Sequence, residues 1–119
     1  MRILAIESSC DETAAAIVEN GTKIISNIIA SSVDLHLKTG GVIPEIAARE
    51  QLRCIIPVIQ EALQGNKPET IDALAVTVGP GLIGSLLVGV ETAKTLAFAW
   101  NKPIVPINHL VAHLYANWL

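Results

Sequence analysis

Charge is scarce in this chain. Asp, Glu, Lys and Arg make up 16% of its 119 residues, against about 25% in an average soluble domain. Hydrophobic residues make up 51%. A domain of this length can build a core, but it cannot easily hide that much apolar surface. Part of that surface is expected to face a partner, a second domain or another copy of the chain. Cysteine is scarce too. Cys10 and Cys54 are too few for a disulfide framework and suit a reducing, cytoplasmic compartment. The formal net charge of -3 argues against a generally basic nucleic-acid surface. It leaves room only for a local basic group at Lys38, Arg49 and Arg53. No signal peptide opens the chain, because "MRILAIESSCDE" turns acidic too early. No repeat, low-complexity segment or linker interrupts it, so a single domain is expected.

The longest apolar stretch, "LIGSLLVGVETAKTLAFAW", contains Glu91 and Lys94. Each would cost roughly 2.5 kcal/mol or more at a bilayer centre, so a buried helix is expected, covered on both sides. The remaining pattern is short and alternating. "RILAIES" reads as a strand, and small polar residues follow it. "AAAIVEN" resumes, Asn20-Gly21 signals a hairpin turn, and "TKIISNIIAS" is a third strand. After a loop with Gly40, Gly41 and Pro44, "PEIAAREQLRCIIPVIQEAL" has helical spacing, with Pro57 expected to kink or split it. "IDALAVTVGPG" is a strand, the long apolar stretch a helix, "KPIVPIN" a strand, and the terminal segment a helix. The order βββαβαβα predicts an α/β fold: an antiparallel meander first, then parallel strands joined through helices.

Three stretches could carry chemistry. In "IESSCDET" a strand delivers Ser8, Ser9, Asp11, Glu12 and Thr13 into one predicted turn. Hydroxyls and amides there suit a phosphate, and the carboxylates suit a metal or a proton. The plain alternative is an ordinary polar turn. In "TVGPGLIGS" a strand runs into glycines that begin a helix, which suits a phosphate. It lacks the lysine of a P-loop and does not match G-x-G-x-x-G, so Gly79, Gly81 and Gly84 could equally serve tight packing. In "NHLVAHLYANWL" His109 and His113 stand four apart, on one helical face, a known metal-ligand spacing. The glutamate of H-E-x-x-H is replaced here by Leu110, Val111 and Ala112, which disfavours a peptidase of that kind. His36 reads as an ordinary surface or packing histidine. Cys10 reads as a reduced, partly buried thiol and not as a nucleophile.

Taken in order, "IESSCDET", "GGVIPEIAAREQL", "TVGPGLIGSLLVG" and "HLVAH" resemble the bacterial-type tRNA-modifying threonylcarbamoyltransferase family, TsaD, once labelled a glycoprotease. The resemblance runs from Arg2 to Leu119. It implies the actin-like ATPase and ribonuclease H-like superfold. It implies transfer of a threonylcarbamoyl group from threonylcarbamoyl-adenylate to N6 of adenosine 37 in tRNAs reading ANN codons. The family's H-x-x-x-H pair binds one iron or zinc ion, and His109 and His113 match that pair. Asp11 and Glu12 match the first loop at the family's cleft and are the implied catalytic carboxylates. Ser9, Gly79 and Gly81 are the implied cofactor-binding residues beside an ATP or adenylate pocket.

The resemblance also implies what this chain lacks. Family members are more than twice as long, and a second lobe supplies a third metal ligand and most of the adenylate pocket. The expectation is a first lobe, inactive alone and self-associating through its uncovered apolar face. The implied partners are tRNA, a TsaB-type paralogue and a small TsaE-type ATPase, with no membrane. The alternatives are a non-catalytic assembly module of the same superfold, as in TsaB, and more remotely a metallopeptidase.

Overall fold

Alternating apolar residues, hairpin punctuation and two long helical stretches resolve into the expected order. A computed structural model describes residues 1–32, 37 and 40–119. Its strands are β1 (Arg2–Glu7), β2 (Glu12–Glu19), β3 (Lys23–Ser31), β4 (Ala73–Gly79) and β5 (Ile104–Asn108). Its helices are α1 (Pro44–Leu63), α2 (Ile83–Trp100) and α3 (His109–Tyr115), with 3-10 turns at Pro68–Thr70 and Ala116–Trp118. His36 and Lys38 lie outside the described residues.

The sheet order is β3-β2-β1-β4-β5. β1, β2 and β3 form the antiparallel meander, whereas β1, β4 and β5 pair in parallel. Asn20 and Gly21 turn the three-residue β2–β3 connection with φ of 54° and 81°, the left-handed values that Asn and Gly adopt most readily. Leu4, Ile6, Ala15, Ile17, Leu74 and Val76 face α1 and α2. There they meet Ile55, Val58, Ile59 and Ala62 from α1, and Val88, Ala93 and Ala97 from α2. Each fully buried Leu or Ile contributes about 1.5–3 kcal/mol by leaving water. β4 is buried at every position from Ala73 to Thr77, as a central parallel strand should be.

Two expectations about the helices are corrected. Of the kink or split expected at Pro57, the split is absent: α1 continues as one element to Leu63. Pro57 and Arg53 are both exposed, so water can serve the Arg53 carbonyl that the missing N–H leaves free. α2 is covered on one side only. Ser85, Leu86, Val88, Gly89, Ala93 and Ala97 are buried, while Ile83, Leu87 and Phe98 are exposed, the last at 91%. No helix among the described residues is long and apolar enough to cross a membrane.

Ser8 ties the end of β1 to α2. Its buried hydroxyl donates to the Ser85 carbonyl at 2.7 Å and accepts from the Gly89 N–H at 3.1 Å. It thus touches two backbone groups one helical turn apart on α2. A Cβ at Gly89 would overlap the Ser8 hydroxyl oxygen. Gly89→Ala should therefore cost about 1–3 kcal/mol, and Ser8→Ala a similar amount by removing both of these buried hydrogen bonds. The double variant should lose clearly less than the sum, because removing Oγ makes room for the new methyl. Urea unfolding of the three variants measures this, and simple additivity would contradict it.

Candidate metal centre

The parallel strands β1, β4 and β5 bring their carboxyl ends to one edge of the sheet, the edge where open α/β sheets bind ligands. Register decides which side chains meet there. Ile6 pairs with Val76, so Glu7 comes beside Thr77, and Thr77 pairs with Ile107. With the period-two alternation of strands, these three residues project from the face opposite α1 and α2. Ala5, Ala14, Ala16 and Ala75 line a groove of about 330 Å³ on that face, with Glu7, Thr77, His109 and His113 also in its wall.

Asn108 ends β5 and starts α3. Its Oδ1 accepts from the N–H of Leu110 at 2.9 Å and of Val111 at 3.2 Å, a side-chain cap. The helix therefore begins at His109, and His113 follows one turn later. The two Nε2 atoms are 3.0 Å apart. The rings meet edge to face, with planes at 89° and centroids 4.4 Å apart. Behind them, His109 Nδ1 lies 3.1 Å from Ser9 Oγ and 3.4 Å from Glu7 Oε2. Glu7 is itself held. Oε1 accepts from the Ser9 backbone N–H at 2.5 Å, and Oε2 accepts from the Thr77 hydroxyl. Burial pushes the Glu7 carboxyl up, but the hydrogen bonds from Ser9, Thr77 and His109 outweigh it and hold it below its usual value.

This arrangement fits a transition-metal ion. Two imidazole nitrogens bound to one zinc ion at about 2.0–2.1 Å stand roughly 3.3 Å apart at a tetrahedral angle. The observed 3.0 Å needs an adjustment of only a few tenths of an ångström. A carboxylate behind the first histidine is the usual second layer of such sites. Among the described residues no group of three or more His, Cys, Asp or Glu side chains could hold a metal. Glu7 stands behind the His109 ring and not in front of it, so this edge supplies two donors.

The other expected site residues separate into those near the histidines and those away from them. Ser9 joins His109, as stated. Glu12 and Thr13 belong to β2 and not to the turn. Among the described residues neither the Asp11 nor the Glu12 side chain bonds to a histidine. Gly81 packs so closely on Ser9 that a Cβ would overlap the Ser9 carbonyl oxygen, and the next N–H, of Leu82, donates to that oxygen at 2.7 Å. Gly79 is at φ 150° with open space around its α-carbon. Cys10 is exposed, not partly buried. Desolvation and the neighbouring Asp11 push its thiol up, which disfavours a thiolate nucleophile. Arg49 and Arg53 pair with Glu45 at 2.6 Å and Glu50 at 2.8 Å, exposed pairs of little energetic weight.

Glu7, its partner Thr77 and Gln51 were not singled out by the sequence reading. Glu7 closes a strand on the face opposite Ile6, and only the pairing with Thr77 shows what it meets. Gln51 is buried, and its Nε2 donates to the carbonyls of Cys10 and Glu12, both at 3.0 Å. Its signal was a polar residue between Ala47 and Ile55 on the buried stripe of α1.

Glu7 also makes a pH prediction. Its folded-state carboxyl lies below the usual 4.5. Such a group adds stability above its unfolded value and loses that contribution as pH falls through the folded one. The stability gap between wild type and Glu7→Gln should therefore be full near neutrality and shrink below pH 4.5. Urea unfolding across that range measures it, and a gap that widens on acidification would contradict it.

In fold, the chain is similar to YeaZ from Pseudomonas aeruginosa, with a TM-score of 0.68 at 19% identity over 91% of this chain and 45% of that one. It is also similar to T. thermophilus RuvC in complex with Holliday junction substrate, with a TM-score of 0.59 at 14% identity over 92% of this chain and 66% of that one. These likenesses are of the fold alone: the five-stranded mixed sheet with its helices is shared with both. In sequence it is similar to the tRNA N6-adenosine threonylcarbamoyltransferases of Thermomicrobium roseum and Symbiobacterium thermophilum, each at 60% identity over 100% and 98% of this chain. The chain spans about a third of the length of those relatives, 33% and 35%. Residues 23–119 match the family model described as TsaD, tRNA N6-adenosine threonylcarbamoyltransferase. With the paired histidines, the capped helix that carries them and four-fifths of the chain inside that match, this chain belongs to the TsaD family.

Proposed function

We propose that this chain is the N-terminal, metal-binding lobe of a transferase. The enzyme moves the threonylcarbamoyl group of threonylcarbamoyl-adenylate to N6 of adenosine 37 in tRNAs reading ANN codons. The observation that carries the reading is the 3.0 Å approach of His109 Nε2 to His113 Nε2 in a chain of this family. In the reaction the N6 amine attacks the carbamoyl carbon. A carbon–nitrogen bond forms, the carbon–oxygen bond to phosphate breaks, AMP leaves with the electron pair, and N6 gives up a proton.

His109 and His113 would hold one iron or zinc ion, which when bound supplies Lewis-acid charge and a template for the acyl donor. Ser9 and Glu7 hold the His109 ring in place, and Thr77 holds Glu7. Glu12, exposed at the start of β2, is the carboxylate that orients the adenine amine or takes its proton, with Asp11 beside it. Ser9, Gly79 and Gly81 form the first-lobe wall of the adenylate pocket. The remaining metal ligand and most of that pocket belong to the family's second lobe. tRNA is the substrate, and a TsaB-type paralogue and a TsaE-type ATPase are partners.

Metal analysis tests the first part. Supplied with the second lobe, the protein should carry close to one iron or zinc per chain and lose it in His109→Ala/His113→Ala. Metal retained by that variant would refute the site. Transfer of labelled threonine to unmodified tRNA tests the second part. Glu12→Gln should lower turnover by about a hundredfold or more while metal content stays at the wild-type level. Unchanged turnover removes Glu12 from the chemistry.

A further inference from the structure

Glu7 lies outside every motif that pointed to function, yet it has three polar neighbours at the heart of the site. Its two oxygens receive the Ser9 backbone N–H and the Thr77 hydroxyl. A carboxylate so engaged is an acceptor only. Its third neighbour, His109 Nδ1 at 3.4 Å, can pair with it only as a donor. The Ser9 hydroxyl, 3.1 Å from the same nitrogen, can donate or accept and so does not choose the tautomer. We propose that Glu7 is a positioning residue that locks His109 in the Nδ1–H tautomer, so that its Nε2 presents a bare lone pair toward His113.

The consequence is an asymmetric histidine pair. A neutral imidazole carries a single N–H, so His109 is preset as an Nε2 donor ligand. His113 Nε2 sits 3.0 Å away, and two bare lone pairs at that distance would repel. In the metal-free protein the hydrogen between them therefore belongs to His113. Exposed His113 has no carboxylate behind it among the described residues, so it exchanges its proton with water and changes tautomer when a cation arrives. The metal-centre reading gives this asymmetry its purpose, but its test does not depend on a bound metal.

Long-range ¹⁵N–¹H spectra of the imidazoles, recorded on metal-free protein above the histidine titration range, read the tautomers directly. Wild type should show His109 as Nδ1–H and His113 as Nε2–H. In Glu7→Gln the Ser9 N–H keeps the side-chain oxygen, so the amide NH₂ turns toward Thr77 and His109. His109 should then switch to Nε2–H, and zinc affinity, measured against a chromophoric chelator, should fall about 10–100-fold. Ser9→Ala leaves the carboxylate and its backbone donor in place and should keep the Nδ1–H form. His109 found as Nε2–H in wild type overturns the proposal, and that spectrum decides even if Glu7→Gln does not fold. So does a tautomer unchanged by Glu7→Gln, or one switched by Ser9→Ala. A switch in Glu7→Gln with no zinc binding in wild type would sink the metal reading and leave the role of Glu7 standing. Zinc lost in His109→Ala/His113→Ala but an unmoved tautomer in Glu7→Gln would do the reverse.

Discussion

The pairing of β1 with β4, Ile3 on Ala73 through Ile6 on Val76, is the constraint on which the site depends. It puts Leu4 and Ile6 under the helices and Glu7 on the other face, beside Thr77. A slip of one residue would exchange the two faces. It would drive an unpaired carboxylate into the core, at a cost of several kcal/mol, and it would expose two fully buried apolar side chains. The register that builds the core is thus the same one that presents the carboxylate. β5 inherits it through Thr77 and Ile107, and the Asn108 cap then begins the histidine helix above the strand ends.

The loop after β1 is fixed from several directions. Adjacent serines serve opposite faces: Ser8 bonds to two backbone groups of α2, and Ser9 reaches His109. From α1, Gln51 clamps the carbonyls of Cys10 and Glu12, and Gly81 lets the start of α2 close on Ser9. Because each tie reaches a different element, the site inherits its rigidity from the whole domain and not from the loop's own sequence. That is how a turn of small polar residues can hold a histidine ring in one orientation.

Much of this was legible beforehand because it rests on local rules. Period-two alternation, Asn20-Gly21 and the helical stripe of α1 gave the element order and the parallel and antiparallel halves of the sheet. Spacing alone put His109 and His113 on one face. The errors came where local rules compete with packing. The all-apolar α2 read as covered on both sides, yet Ile83, Leu87 and Phe98 stand exposed, since composition does not say how many neighbours a helix has. Glu12 read as a turn residue, but its pairing with Ser31 makes it the first residue of a strand.

By itself, then, the sequence determined the order of elements, the buried stripe of α1, the alternating faces of the strands and the four-residue spacing of the histidines. Each of these follows from backbone periodicity and side-chain polarity within a short window. Only the tertiary structure decided that Glu7 and Thr77 stand behind His109, that Gln51 clamps the loop, and that the two Nε2 atoms converge. Apart from the histidine pair, four residues apart on one helix, those contacts join residues 39 to 102 positions apart, and strand register and helix packing, not any local preference, bring them within hydrogen-bonding distance.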